Sequence, residues 1–159
     1  MTPQVIGSIL IGADQMLKEF VAARIPHMIN KDFGPATALG VVRNGRLLGG
    51  VVFHGYVGHD VQVSYAFDHP SWALPGTLRA LFDYAFNQLG VRRITTVAPR
   101  KNRRSRKMVI GLGFKLEGVH VKGIDGIEDA ISYGMLREHC KWIKDRNNGQ
   151  KCSASSRAA

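Results

Sequence analysis

The sequence predicts an α/β or α+β layer fold with a mixed, mostly antiparallel sheet of about six to seven strands flanked by about four helices. Three observations carry that expectation. Between Ala36 and Phe67, apolar and polar residues alternate through two turn signals, the pattern of three antiparallel strands. Leu78, Leu81, Phe82, Ala85, Phe86 and Leu89 recur at the spacing of one helix face, the most regular such stripe in the chain. Ile94 to Val119 then reads as strand, short helix, strand, which makes one crossover unit.

The 159 residues suffice for one domain with a sizeable buried core, and residues 1–144 are assigned to it. From 145 to 159, Asn, Gly, Gln, Ser, Lys and Arg dominate without a hydrophobic period, so a basic disordered tail is expected there. No apolar run approaches the roughly 20 residues of a membrane-spanning helix, and the first residues lack the basic-then-apolar order of a secretion signal. The expectation is a cytoplasmic protein with no membrane partner. Cys140 and Cys152 lack C-x-x-C spacing and are expected to be free thiols.

Taken in order, Val5 to Ile11 alternates loosely as a first strand. Asp14 is placed to cap a helix in which Leu17, Phe20, Val21 and Arg24 or Ile25 fall at helical spacing, and Pro26 closes it. Pro26 to Pro35 has no period and reads as a loop or a short second helix. Asn44-Gly45 supplies the positive φ of a two-residue hairpin turn, and Gly58 to Asp60 makes the next turn. Val61, Val63, Tyr65 and Phe67 alternate with Gln62, Ser64, Ala66 and Asp68, giving the third strand one apolar face. His69-Pro70-Ser71-Trp72 breaks that strand, and Pro75 fits the first turn of the long helix. Ile94 to Val97 is a β-branched strand ended by Pro99, and Asn102 opens a short helix that Gly113 ends. Phe114, Leu116 and Val119 follow as a strand, and Asp125-Gly126 turns the chain into the last one, Ala130 to Leu136. His54 and His59, near strand ends, read as loop or surface residues, and no metal site is expected.

The formal net charge of +10 is unevenly placed. Arg92, Arg93, Arg100, Lys101, Arg103, Arg104, Arg106 and Lys107 supply eight positive charges with no acid between them. A solvated helix face is the ordinary explanation of a charge run, but this density points to an anionic visitor, either a phosphate-bearing small molecule or nucleic acid.

Asn102-x-x-Ser105, the short helix, and then Leu112-Gly113-Phe114-x-x-Glu117-Gly118 is similar to the acetyl-CoA-binding end of the Gcn5-related N-acetyltransferase (GNAT) family. The resemblance is nearest the branch that acetylates N-termini of ribosomal proteins. It implies the GNAT fold, with acetyl-CoA as co-substrate and a protein N-terminus, a lysine or a small amine as acceptor. The family holds the CoA pyrophosphate at the start of the long helix, with glycines and an Arg or Gln. Here Ser71 to Thr77 keeps only Gly76, which leaves the N–H groups of Leu74, Gly76 and Thr77 and the side chains of Arg100, Arg103 and Arg104 for the phosphates. Asn102 takes the family's place beside CoA, and a backbone N–H near Phe67 or Asp68 takes the thioester-polarising role.

Direct transfer needs a base for the amine and an acid for the departing thiolate. Many members of the family place a tyrosine seven residues after this Asn as the acid. Val109 stands there, so Ser105 is the substitute candidate, with helix capping as its structural alternative. Asp68, His69 and Glu117 are the candidates for the base. The chain therefore reads as an N-acetyltransferase. The alternative is a non-catalytic basic module that binds RNA or protein on the same fold. An RNA contact through the basic cluster and a homodimer both stay open.

Overall fold

The computed structural model describes residues 2–143, so the expected tail and Cys152 lie outside the described residues. The strands are β1 (Gln4–Ile6), β2 (Ile9–Ile11), β3 (Ala36–Arg43), β4 (Arg46–His54), β5 (Asp60–Phe67), β6 (Arg93–Pro99), β7 (Lys115–Ile124) and β8 (Glu128–Leu136). The α-helices among the described residues are α1 (Asp14–Arg24), α2 (Pro75–Asp83) and α3 (Arg103–Leu112). All eight strands form one sheet in the order β1-β2-β3-β4-β5-β6-β8-β7. Each pair is antiparallel except β5 with β6.

The mixed sheet and its class match the expectation, while the counts differ for local reasons. The first expected strand turns at Gly7 and Ser8 into the short hairpin β1–β2, with Val5 opposite Leu10. The segment after α1 closes only one 3-10 turn, Pro26–Met28. Asp14 is not the cap of α1: the helix starts on it, and its carboxylate accepts from the Ala38 N–H of β3 at 3.0 Å, tying helix to sheet. Asn44 and Gly45 both take positive φ, 52° and 73°, and close the β3–β4 hairpin as the turn chemistry requires. α2 continues into a π-helical stretch, Tyr84–Leu89, which keeps Ala85 and Phe86 on the buried face.

Strand alternation separates two layers. On one face α2 and α3 bury Leu78, Leu81, Phe82, Phe86 and Val109 among Val51, Phe53, Val61, Val63, Ile94 and Tyr133. On the other, α1 packs Leu17 and Val21 on Ala38 and Val52. No described helix covers β6, β8 and β7 on that second side. Leu116 and Val119, expected to alternate with Lys115 and Glu117 as in a half-buried strand, stand opposite Tyr133 and Ile131 on the helix-bearing side, yet at the sheet edge they are 62% and 46% exposed. The edge strand β7 has no neighbour beyond it in the sheet. Cys140 is a buried free thiol.

The parallel join between β5 and β6 positions the site. Its ladder runs only from Asp60 opposite Arg93 to Gln62 opposite Thr95. Beyond it, β4 holds β5 as far as Phe67 opposite Gly49, and β8 holds β6 as far as Pro99 opposite Ala130. One further link, Thr96 Oγ1 donating to the Val63 carbonyl at 3.0 Å, crosses before the strands part. Each strand follows its other neighbour, and a wedge opens between them.

Candidate active site

A cleft of about 720 Å³ occupies this wedge. Its walls come from the end of β5 (Tyr65, Phe67, Asp68), from the His69–Ala73 loop, from the start of α3 (Asn102, Arg104, Ser105) and from the end of α1. Trp72 is buried and lies flat on Phe67, with ring centroids 3.7 Å apart and planes 3° from parallel, so the loop is fixed to the strand end by aromatic contact. Arg43 Nη1 donates to the Ser71 carbonyl at 2.5 Å and anchors the same loop from β3.

At the start of α3, Asn102 Oδ1 accepts from the Ser105 N–H at 3.1 Å, the N-cap bond that its residue type predicts. The Ser105 hydroxyl is not spent on capping. It lies 2.5 Å from the Tyr65 hydroxyl, across the wedge from β5. Burial pushes the Tyr65 phenol above its usual range, with the hydrogen bond to Ser105 working against that shift. Val109, one turn further along α3, is buried in the core and takes no part in the cleft.

Backbone donors in the wedge follow from strand geometry. The Asp68 N–H donates to the Leu48 carbonyl at 2.8 Å, so it is committed to β4 and is not the free donor expected there. Successive N–H groups of a strand point to opposite edges, so the Phe67 N–H points toward β6, where the ladder has ended. At the start of α2, the Leu74 N–H, expected to be free, turns back to the Trp72 carbonyl at 3.0 Å. Gly76 and Thr77 keep first-turn N–H groups with no carbonyl inside the helix, although neither residue lines the cleft. The Thr77 side chain is buried against Ser8, with their hydroxyl oxygens 2.8 Å apart.

The expected acid–base residues are not gathered at one point. Asp68 receives both Arg24 Nε at 2.8 Å and Nη2 at 3.1 Å. That guanidinium holds its carboxyl below the usual range. His69 Nδ1 accepts from the Ser71 N–H at 3.1 Å and lies 2.7 Å from the Ser71 hydroxyl, so the ring caps the Pro70–Trp72 turn. Glu117 sits outside the cleft, paired with Arg93 on the face that no helix covers.

The basic cluster is likewise divided. Arg100 pairs with Asp129, Arg93 with Glu117 and Asp60, and Arg106 donates to the Tyr133 hydroxyl at 2.9 Å. Arg104 lines the cleft and Arg103 does not. Two side chains that line these cavities carry no distinguishing signal in the sequence. Tyr65 carries the same alternation signal as its core neighbours, and only the partner on α3 distinguishes it. His54 was read as a surface or loop residue, but it is half-buried in a second, smaller cavity. Among the described residues no three His, Cys, Asp or Glu side chains form a metal-binding group, and no helix is long and apolar enough to cross a membrane.

The structure is similar to an acetyltransferase (GNAT family) from Bacillus anthracis, with a TM-score of 0.61 and 20% identity over 86% of this chain and 99% of that one. It is also similar to the ribosomal-protein-S5-alanine acetyltransferase from Vibrio fischeri, with a TM-score of 0.61 and 16% identity over 89% and 100% of the two chains. A third neighbour is Mycobacterium smegmatis RimJ in complex with CoA-disulfide, with a TM-score of 0.55 and 19% identity over 74% of this chain. This chain spans 58% of the length of that third protein and 63% of another neighbour, a probable acetyltransferase. No family model and no curated protein matches the sequence. The fold is the GNAT fold.

Proposed function

We propose that the chain binds acetyl-CoA in the wedge between β5 and β6 and transfers the acetyl group to a primary amine by direct attack. The observation that carries this reading is the Tyr65–Ser105 hydroxyl pair facing an unpaired strand edge inside a cleft large enough for a CoA arm. A thioester carbonyl needs a preorganised donor where negative charge develops, and the Phe67 N–H is aimed at the opening without a ladder partner. A departing thiolate needs a proton, and two hydrogen-bonded hydroxyls at the cleft wall can supply one and share the charge left behind.

The phosphates call for cations and free N–H groups. Asn102 shapes the start of α3 and Arg104 faces the cleft, while Gly76 and Thr77 offer their N–H groups at the positive end of α2. Ser105 keeps the acid role, now shared with Tyr65. The bound states of Asp68, His69 and Glu117 leave none of them suited to be the base. Arg24 occupies both oxygens of Asp68 and lowers its basicity, His69 uses Nδ1 as an acceptor within its own turn, and Glu117 lies outside the cleft. The neighbours' likeness to acetyltransferases, one of them with CoA-disulfide bound, supports the co-substrate.

Isothermal titration with acetyl-CoA tests the reading. Binding is expected for the wild type, and the double change Asn102→Ala, Ser105→Ala is expected to reduce turnover. Absence of acetyl-CoA binding at millimolar concentration would end it.

A further inference from the structure

A second cavity, of about 250 Å³, adjoins the cleft on the side of the sheet that carries α1. His27, Asp32, Phe33, His54 and Ser64 line it, with Thr96 and Val97 of β6 beneath. The two cavities adjoin. His27 lines both, and Ser64 of the second is followed on β5 by Tyr65 of the first, at the level where the β5–β6 ladder has stopped. The second cavity therefore borders the wedge at His27 and at the Ser64–Tyr65 step of β5.

His54 is built into this second cavity. It ends β4, its Nε2 lies 2.9 Å from the Ser64 hydroxyl oxygen, and its ring packs on Phe33 with centroids 5.1 Å apart. Burial lowers its pKa, so the imidazole is neutral at neutral pH and keeps one unprotonated nitrogen. The titratable groups around it are few. His27, on the Pro26–Met28 turn, is also lowered by burial. Asp32, on the following loop, is exposed and 3.8 Å from Lys18. β5 and β6 present Gln62, Ser64, Thr96 and Val97, none of them charged. The lining thus holds one carboxylate and no Lys or Arg, which suits an incoming ammonium.

We propose, on the basis of the acetyl-transfer reading, that His54 is the proton acceptor for an ammonium acceptor that enters from this face, with the Ser64 hydroxyl relaying the proton to Nε2. The ammonium loses one proton to Ser64, which gives its own to His54. The neutral amine attacks the thioester carbon, the C–N bond forms and the C–S bond breaks. The Tyr65–Ser105 pair protonates the thiolate and is reprotonated from solvent, while the second surplus proton on nitrogen and the one on His54 leave to solvent. The net products are the amide, free CoA thiol and one proton.

Two acceptors separate this role from a structural one. An alanine-headed peptide amide arrives as an ammonium and needs a base, whereas hydroxylamine is largely unprotonated at neutral pH and needs none. With saturating acetyl-CoA, His54→Gln is expected to lose about 100-fold in kcat on the peptide but less than about threefold on hydroxylamine. Ser64→Ala should lose in the same direction. The acid limb, where wild-type peptide transfer falls as His54 gains its proton, should be absent in His54→Gln. Equal losses on both acceptors, an unchanged acid limb, or the loss appearing in His27→Gln instead would overturn the assignment. So would a wild type that binds acetyl-CoA yet acetylates neither acceptor. A wild type that binds no acetyl-CoA, measured before any acceptor is added, overturns the underlying reading and this one with it.

Discussion

Replacing Tyr65 with Phe removes one oxygen and little volume, which makes it the cleanest test of the hydroxyl pair. The lost bond, 2.5 Å to Ser105, is partly buried. A net cost of about 1 kcal/mol is expected for it, and with a chain of this size about 2–4 °C in Tm. Turnover should respond far more. Loss of a positioned acid removes about 10²–10⁴ in rate, or about 3–5 kcal/mol of transition-state stabilisation. The affinity for acetyl-CoA should hardly move, because the phosphate-binding groups are untouched. pH adds a signature whose sign follows from burial. The phenol is held above its usual range, so it is protonated through neutrality, and on the alkaline side wild-type kcat should fall as pH rises through that raised value. In Tyr65→Phe the alkaline limb should change. Steady-state kinetics across pH, calorimetry with acetyl-CoA and a thermal melt make the full assay. A kcat within about threefold of wild type, with binding intact, would refute the reasoning.

Arg104→Ala should weaken acetyl-CoA binding by about tenfold or more, the value of one charge-assisted contact, while Arg103→Ala should change it by less than about twofold. The reverse order in calorimetry would contradict the assignment, and RNA affinity whose salt slope flattens equally in both would favour nucleic acid. Asp68→Asn should cost less than about 1 kcal/mol, since its ion pair with Arg24 is half exposed and screened. Because Arg24 depresses the folded pKa of Asp68, that contribution is present above the unfolded carboxylate value and lost as pH falls through the lowered folded one. The Tm difference between wild type and variant should therefore vanish in acid. Gly49→Ala should destabilise by about 1–3 kcal/mol, because a Cβ there overlaps Phe67 and the Ala66 carbonyl. Gly111→Ala, in α3 with open space around it, should instead gain about 0.4–1 kcal/mol in chemical denaturation.

What was legible in the sequence was local. Asn44-Gly45 dictates its own turn, Asn102 reaches an N–H three residues on, and the stripe from Leu78 to Leu89 needs only helical spacing. The site depended on partners that no local rule supplies. Tyr65 and Ser105 are 40 residues apart, and Asp68 meets Arg24 across 44. An alternating Tyr reads as core until its partner is known, and a strand-end Asp reads as a free base until an arginine from another helix occupies it. His54 looked like a loop residue because its shelter, Phe33 and Ser64, comes from the loop after α1 and from the neighbouring strand. The extra strand was missed for the opposite reason. A turn at Gly7 and Ser8 leaves three residues on either side, too few to show a period.

The parting of β5 from β6 also bears on how the domain opens. It leaves two blocks, β1 to β5 with α1 and β6 to β8 with α3, each with a continuous ladder of its own, joined along the sheet by three residue pairs and the Arg92 and Arg93 N–H bonds to the His59 carbonyl. Blocks joined so sparsely are natural units of sub-global opening, separable at a free energy below that of complete unfolding. A molecule seated in the wedge touches both and holds them together, so binding stabilises the seam by RT ln(1 + L/Kd), where L is the free ligand concentration, rising with the logarithm of L above Kd. Amide exchange along Val63 to Phe67 and Thr96 to Ala98 then becomes a gauge of how full the site is.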